Sequence, residues 1–281
     1  MKIREVVDAL ERFAPLPLQE DYDNAGLQLG LTDTQEVSGA LLCLDVTEAV
    51  VDEAVALGCN LIVSHHPLIF RPLKHLTDEN QVQRTVRKAI VNNVALISMH
   101  TNLDNAVGGV NWKMAEKMGA RPLTKGGEVL EEVSLQESGE ESNVKSPLLS
   151  GGVGGGLPLF AQLSEPMAAA DFIQMLKRTF GVECVMANEL LQRPIRKVAL
   201  CGGAGSFCLG EAIRSGADAF VTGEMGYHEY FGHEQEIQIA VIGHYQSEQF
   251  TCELLKEILE RDCPELKCHV TKLNTNPIHY F

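Results

Sequence analysis

The 281-residue chain has eight cysteines, at 43, 59, 184, 201, 208, 252, 263 and 268, yet no Cys-x-x-Cys pair. That spacing argues against a cysteine-based zinc site. Several of these thiols sit inside apolar runs, which suits reduced, buried cysteines rather than a disulfide framework. Positive charge is also scarce: 23 Lys and Arg face 38 Asp and Glu, for a net charge of −15. No basic patch offsets that balance, which argues against a sequence-independent grip on nucleic-acid phosphates. An acidic body likewise repels free anionic substrates, so a phosphorylated substrate needs cations bound near its site. No apolar run is long enough to span a membrane, and Met1-Lys2-Ile3-Arg4-Glu5 lacks a signal peptide's apolar core. The expectation is a cytoplasmic protein with no membrane contact. The 45% hydrophobic and 22% charged residues are ordinary for a globular protein. The length suits one large or two medium domains.

What is present centres on Ser64-His65-His66-Pro67, which stops the apolar run Asn60-Leu61-Ile62-Val63. Adjacent imidazoles on an extended strand face opposite ways, because the side-chain period is two. At a strand's end the chain is already turning, and both rings can aim into one crevice. Pro67 enforces that turn by fixing its own φ and biasing His66 away from helix.

The run-up to that pair reads as a strand–helix–strand unit. Leu41-Leu42-Cys43-Leu44 is a strand, Asp45 with Glu48 three residues on forms a capping box, and the helix ends at Gly58. Short connections of this kind mark a parallel sheet. An amphipathic helix on Ile3, Val6, Val7, Leu10 and Phe13 precedes it. A strand at 94–99 follows and ends in His100-Thr101-Asn102-Leu103-Asp104-Asn105. Sliding Leu42 onto Leu200 places Cys43 on Cys201, Glu53 on Glu211, Ala54 on Ala212, Gly58 on Gly216 and Val63 on Val221 without a gap. The second copy replaces the capping Asp45 by a glycine turn, Gly202-Gly203-Ala204-Gly205-Ser206, whose backbone N–H groups could approach a phosphate. Tight strand–helix packing explains the same glycines.

The expected fold is α/β, with two related α/β domains, the first completed by the C-terminal segment. Residues 1–124 and 239–281 form the first domain and residues 151–238 the second. Between them, 125–150 is poor in apolar residues and reads as a flexible insertion or linker. The run Gly151-Gly152-Val153-Gly154-Gly155-Gly156 neither follows a clear strand nor opens a helix, so it suits a domain junction better than a phosphate cradle.

Three strand ends present metal-ligand residue types: His65 and His66; His100 and Asp104; His244 and Glu248. In open parallel sheets the crevice at the carboxyl ends of the strands is where ligands bind. The second and third pairs are four apart, so each shares a face if it spans a helical turn. Imidazole with carboxylate suits zinc, iron, manganese or nickel. Six such groups exceed the needs of one tetrahedral ion, which favours two divalent cations per chain. Two close ions can lower the pKa of a bridging water and steady the charge of a hydrolytic transition state. Glu224 and His228 repeat the four-residue spacing and, with His100, are the candidate proton-transfer groups. His100 also suits the orienting of a ligand from behind.

Several stretches together resemble the NIF-three-like family, whose members are also called GTP cyclohydrolase 1 type 2 homologs. They are Asp23-Asn24-x-Gly26-Leu27, Asp45-Val46-Thr47, Ser64-His65-His66-Pro67, His100-x-x-x-Asp104-Asn105, Thr222-Gly223-Glu224 and Gly243-His244-Tyr245-x-x-Glu248. The match runs in order over nearly the whole chain. It implies a two-domain α/β fold, a dinuclear metal centre on His65, His66, Asp104, His244 and Glu248, and a toroidal homohexamer. It also implies a metal-dependent hydrolase of a nucleotide or phosphoester small molecule, opening the guanine imidazole ring with metal-bound hydroxide. The alternative is a non-catalytic metal-binding, metal-delivery or regulatory scaffold protein.

Overall fold

The computed structural model describes residues 1–30, 35–124, 128–130, 158–279 and 281. The expected linker at 125–150, apart from 128–130, and the glycine run at 151–156 lie outside the described residues. The chain forms two compact units: Met1–Ala106 with Thr251–Phe281, and Val107–Phe250. The boundaries therefore differ from those expected. The sequence pattern places the strand at 239–242 in the first domain, but its hydrogen-bonding neighbours lie in the second sheet. The return to the first unit begins only at Thr251.

In chain order the first unit contains α1 (Ile3–Phe13), β1 (Gly26–Leu29), β2 (Ala40–Cys43), α2 (Glu48–Ala56), β3 (Leu61–Ser64), α3 (Gln81–Val91), β4 (Ala95–Ser98) and the single turn α4 (Thr101–Asp104). The second contains α5 (Val110–Lys117), β5 (Ala120–Pro122), β6 (Leu159–Met167), α6 (Ala169–Phe180), β7 (Met186–Ala187), β8 (Ile195–Cys201), α7 (Leu209–Arg214), β9 (Ala219–Thr222), β10 (Gln238–Val241) and α8 (His244–Glu248). The first unit is then completed by α9 (Thr251–Asp262) and β11 (Cys268–Val270).

The first sheet has five strands in the order β1-β4-β3-β2-β11. Its four strands from β4 to β11 are parallel and β1 adds antiparallel to β4. The second has six strands in the order β5-β6-β8-β9-β10-β7, with β8, β9 and β10 parallel and the other strands antiparallel. The parallel centres explain why β2, β3, β4, β9 and β10 are buried at every position. With both faces covered, a central parallel strand has no polar face and reads as a continuous apolar run. Leu61, Ile62 and Val63 are fully buried, each contributing about 1.5–3 kcal/mol of transfer free energy as an upper bound.

The cap of α2 is a correction. Thr47, not Asp45, is its N-cap, and the Thr47 hydroxyl accepts from the Val50 N–H at 3.2 Å. Asp45 is used elsewhere. At the other end Gly58 takes φ 72°, as Gly216 does with φ 68° after α7. Cys43, Cys59, Cys184, Cys252, Cys263 and Cys268 are free thiols. No described helix is long and apolar enough to cross a membrane.

Candidate metal centre

In the first unit the ligand-type residues sit where β3 and β4 stop. Backbone pairing continues one step past β3: His65 N–H donates to the Cys43 carbonyl and His66 N–H to Leu44. His65 is fully buried, and its Nδ1 lies 2.7 Å from the Met99 carbonyl oxygen. A carbonyl only accepts, so Nδ1 carries the proton and the neutral ring's lone pair is on Nε2. That atom lies 3.7 Å from Asp104 Oδ1. His66 donates Nδ1–H to Asp45 Oδ1 at 2.9 Å, and His100 donates Nδ1–H to Asp23 Oδ1 at 2.7 Å. Each ring is thus anchored through Nδ1. The ring centroids are 4.9–5.4 Å apart, and one potential ligand atom from each of His65, His66 and His100 falls within 4.8 Å of the others.

His100 is the N-cap of α4, and its carbonyl accepts from Leu103 N–H and Asp104 N–H. One helical turn therefore carries Asp104 back to the same side, as the four-residue spacing requires. Asp23 holds this turn from outside it. Besides His100, it accepts from the Thr101 N–H at 3.1 Å and the Thr101 hydroxyl at 2.5 Å. Burial alone would raise its carboxyl pKa; the hydrogen bonds from His100 and Thr101 and the His100 charge outweigh that and lower it to about 2.

In the second unit Gly243, at φ 100°, turns the chain from β10 into α8. His244 and Glu248 open and close that helix, with His244 Nε2 3.3 Å from Glu248 Oε2. His244 repeats the arrangement of the first unit, its Nδ1–H donating to Glu224 Oε1 at 2.8 Å. Glu248 is only 3% exposed. The glycine turn after β8 packs against it: a Cβ on Gly203, whose φ is 59°, would stand 2.3 Å from Glu248 Oε1. The N–H groups of the turn's three glycines are committed within the fold. Gly202 N–H donates to Asn111 Oδ1, Gly203 N–H to Ser247 Oγ and Gly205 N–H to Thr222 Oγ1. These N–H groups have protein acceptors, so tight packing, not phosphate capture, accounts for the glycines.

Of the residues singled out from the sequence, His65, His66, His100 and Asp104 meet in the first unit. His244, Glu248 and Glu224 meet in the second. Glu224 stands behind His244 as an anchor of its Nδ1. His228 is different: it lies on an exposed 3₁₀ turn, its ring against Tyr227 and Phe231. Glu224 precedes that turn, so the four-residue spacing puts the two on no common helical face. Asp23 and Asp45 were missed as imidazole anchors. The signal available was their place in strand-end motifs, Asp23-Asn24 and Asp45-Val46-Thr47. The donor sets of imidazole nitrogen and carboxylate oxygen, with Nδ1 already bonded, fit first-row divalent metals and the usual carboxylate–histidine support of a ligand.

The sequence model of Duf34/NIF3 (NGG1p interacting factor 3) matches residues 1–277. A GTP cyclohydrolase 1 type 2 homolog of Clostridium perfringens is 30% identical over the full length of both chains. One from Lactococcus lactis is 30% identical over 99% of each. Among solved structures, a hypothetical protein of Staphylococcus aureus has a TM-score of 0.83 at 29% identity, covering 100% of this chain and 99% of its own. A Bacillus cereus protein related to NIF3 has a TM-score of 0.79 at 25% identity, with the same coverage. The two-unit α/β fold is shared with these neighbours, and the chain belongs to the Duf34/NIF3 family.

Proposed function

We propose that this chain is a dinuclear metal-dependent hydrolase of a nucleotide-like substrate, resembling GTP cyclohydrolase 1 type 2 chemistry. The observation that carries the reading is the anchoring of four imidazoles through Nδ1, to Met99, Asp45, Asp23 and Glu224. Such anchors fix tautomer and ring orientation and raise ligand basicity, which a merely structural histidine does not need four times over. In this reading His65, His66, Asp104, His244 and Glu248 hold two divalent cations of the zinc, iron, manganese or nickel class. His100 stands beside them as a further imidazole, able to ligate or to pass a proton. When bound, the cations supply Lewis acidity, water activation near neutral pH and neutralisation of phosphate charge. Met99, Asp45, Asp23 and Glu224 keep the rings aimed; Gly203 leaves room for the Glu248 carboxylate. Glu224 is better suited to orienting His244 than to proton transfer, and nothing about His228 beyond its spacing supports a catalytic role.

The acidic chain fits this assignment, since bound cations would offset its repulsion of an anionic substrate. Buried thiols such as Cys43, Cys59, Cys252 and Cys263 fit a reducing cytoplasmic setting. The homohexamer implied by the family resemblance belongs to the same reading, and sedimentation of the purified protein tests it, a monomer refuting it.

The deciding experiment is metal content per chain on protein purified without added metal or chelator, for wild type and His65→Ala. About two first-row ions, reduced in the variant, support the centre and lead to a screen of GTP and phosphoesters with that metal. Turnover that survives His244→Ala or Glu248→Ala overturns the hydrolase assignment. Metal binding without turnover across the screen favours a metal-delivery or scaffold role.

A further inference from the structure

The C-terminal segment is tied to the first unit by a series of bonds that the proposed metal set does not require. β11 joins the sheet beside β2 and runs parallel to it, Cys268 opposite Ala40 and Val270 opposite Leu42. A parallel neighbour leaves the sheet at the same end, so the chain beyond Val270 emerges beside the carboxyl end of β2. Thr271 N–H donates to the Leu42 carbonyl, the Thr271 hydroxyl donates to the Glu53 carboxylate on α2, and Lys272 N–H donates to Glu53 Oε1 at 2.9 Å. Two Asx-type turns follow, with Asn276 N–H on Asn274 Oδ1 and Ile278 N–H on Asn276 Oδ1. Inside the first of these turns the Thr275 hydroxyl donates to Asp45 Oδ2 at 2.8 Å. The other oxygen of that carboxylate, Oδ1, accepts from His66 Nδ1 at 2.9 Å.

We infer that residues 271–278 are a strap whose Thr275 sets the orientation of His66 through Asp45. The inference rests on the reading of His66 as a metal ligand. The physical case is rotational. An Asp carboxylate held at one oxygen can pivot about its Cβ–Cγ bond, since that torsion is broad. With Thr275 on Oδ2 and His66 on Oδ1 the plane has two fixed points, and the imidazole inherits its aim from that plane. Thr275 is a positioning residue acting at one remove from the ligand.

The test uses the full chain with cobalt(II) as the metal, affinity being measured by chelator competition and ligand geometry by the visible d–d spectrum. Thr275→Val removes the donor at nearly constant volume. It is expected to weaken cobalt binding about three- to tenfold, below the ten- to hundredfold typical when a ligand's immediate partner is changed. The spectrum should move with it, and Thr275→Ser should restore both. Unchanged affinity and spectrum in Thr275→Val, or a Ser variant as impaired as the Val variant, overturns the inference. A crystal structure of metal-free Thr275→Val gives an independent decision. A rotated Asp45 with a lengthened bond to His66 supports the strap; an unaltered pair refutes it. Failure of the wild type to bind cobalt would count against the metal reading instead, and the crystal structure still decides the strap.

Discussion

The two strand–helix–strand units share more than an outline. The slide that lays Leu42 on Leu200 also lays the pairing Ala40–Leu61 on Val198–Ala219, and Cys43–Ser64 on Cys201–Thr222. The register is the same at every step. What differs is the equipment at the strand ends. His65 falls on Gly223, His66 on Glu224 and Asp45 on Gly203. In the first unit the positions after β3 deliver two imidazoles, and the loop after β2 delivers the anchor of one of them, Asp45 for His66. In the second, the His66 position supplies the anchor, Glu224, and the imidazole it holds comes from the next strand, as His244. The glycines follow from that change: a Cβ at Gly223 would stand 2.6 Å from the Gly203 carbonyl oxygen and 2.8 Å from His244 Cα. One scaffold therefore serves two ends, by projecting imidazoles in one copy and by making room for neighbouring side chains in the other.

The largest effect that would break this comparison is expected from Gly223→Ala. The clash is with backbone atoms, which cannot swing aside, so a loss of about 3 kcal/mol or more is expected in urea unfolding. A cost below about 1 kcal/mol would show that the glycine is not required by packing. Gly203→Ala clashes with the tip of a side chain instead. There the main expected result is a displaced Glu248, read as lost metal uptake with a smaller loss of stability.

Next in size are the carboxylate anchors. Asp45→Asn is expected to weaken metal binding about ten- to hundredfold. Glu224→Gln should cost less, because the Glu224 side chain is 54% exposed against 35% for Asp45 and water can stand in for it. Equal losses by chelator competition would show that the two anchors bear equal weight.

Acid should act on the first unit through Asp23. Its carboxyl is depressed from 3.8 to about 2, so its contribution to stability is complete above about pH 4 and disappears as pH falls through about 2. The stability gap between wild type and Asp23→Asn should be up to about 2 kcal/mol at pH 6. It should close towards pH 2; a gap that stays constant with pH would remove the ionic component. The smallest effects belong to the helix ends. Gly58→Ala and Gly216→Ala occupy left-handed positions with nothing within 4 Å of the added Cβ. Each should cost about 1 kcal/mol, and matching values would confirm that the repeat extends to its caps.

Much of this was legible from residue order because the decisive signals are local. A central parallel strand is a short apolar run, and a candidate site residue at its end follows at once in sequence, as with Val63, Ser64 and His65. The repeat was legible for the same reason. Asp45 was misread because the capping pattern with Glu48 is a local rule. Its actual partners, His66 and Thr275, lie 21 and 230 residues away. Asp23 reaches His100 across 77 residues from a loop with no periodicity to mark it. The unit to which β10 belongs is not legible in sequence, because an apolar run such as Ile239-Ala240-Val241-Ile242 records burial without recording a neighbour. The antiparallel edge strands β1, β5 and β7, two to four residues long, are too short for alternation to show.

The pairing of β11 with β2 sets an order of events during synthesis. The second unit is one contiguous segment and can close as soon as its own residues are available. The first unit cannot: until β11 has been made, the open side of β2 is an unpaired edge, exposed while the whole second unit is translated. Closing so long a loop is also the slow, entropically costly contact in this topology. Nascent chains halted before Cys268 should therefore carry a protease-resistant second unit and a protease-sensitive first one.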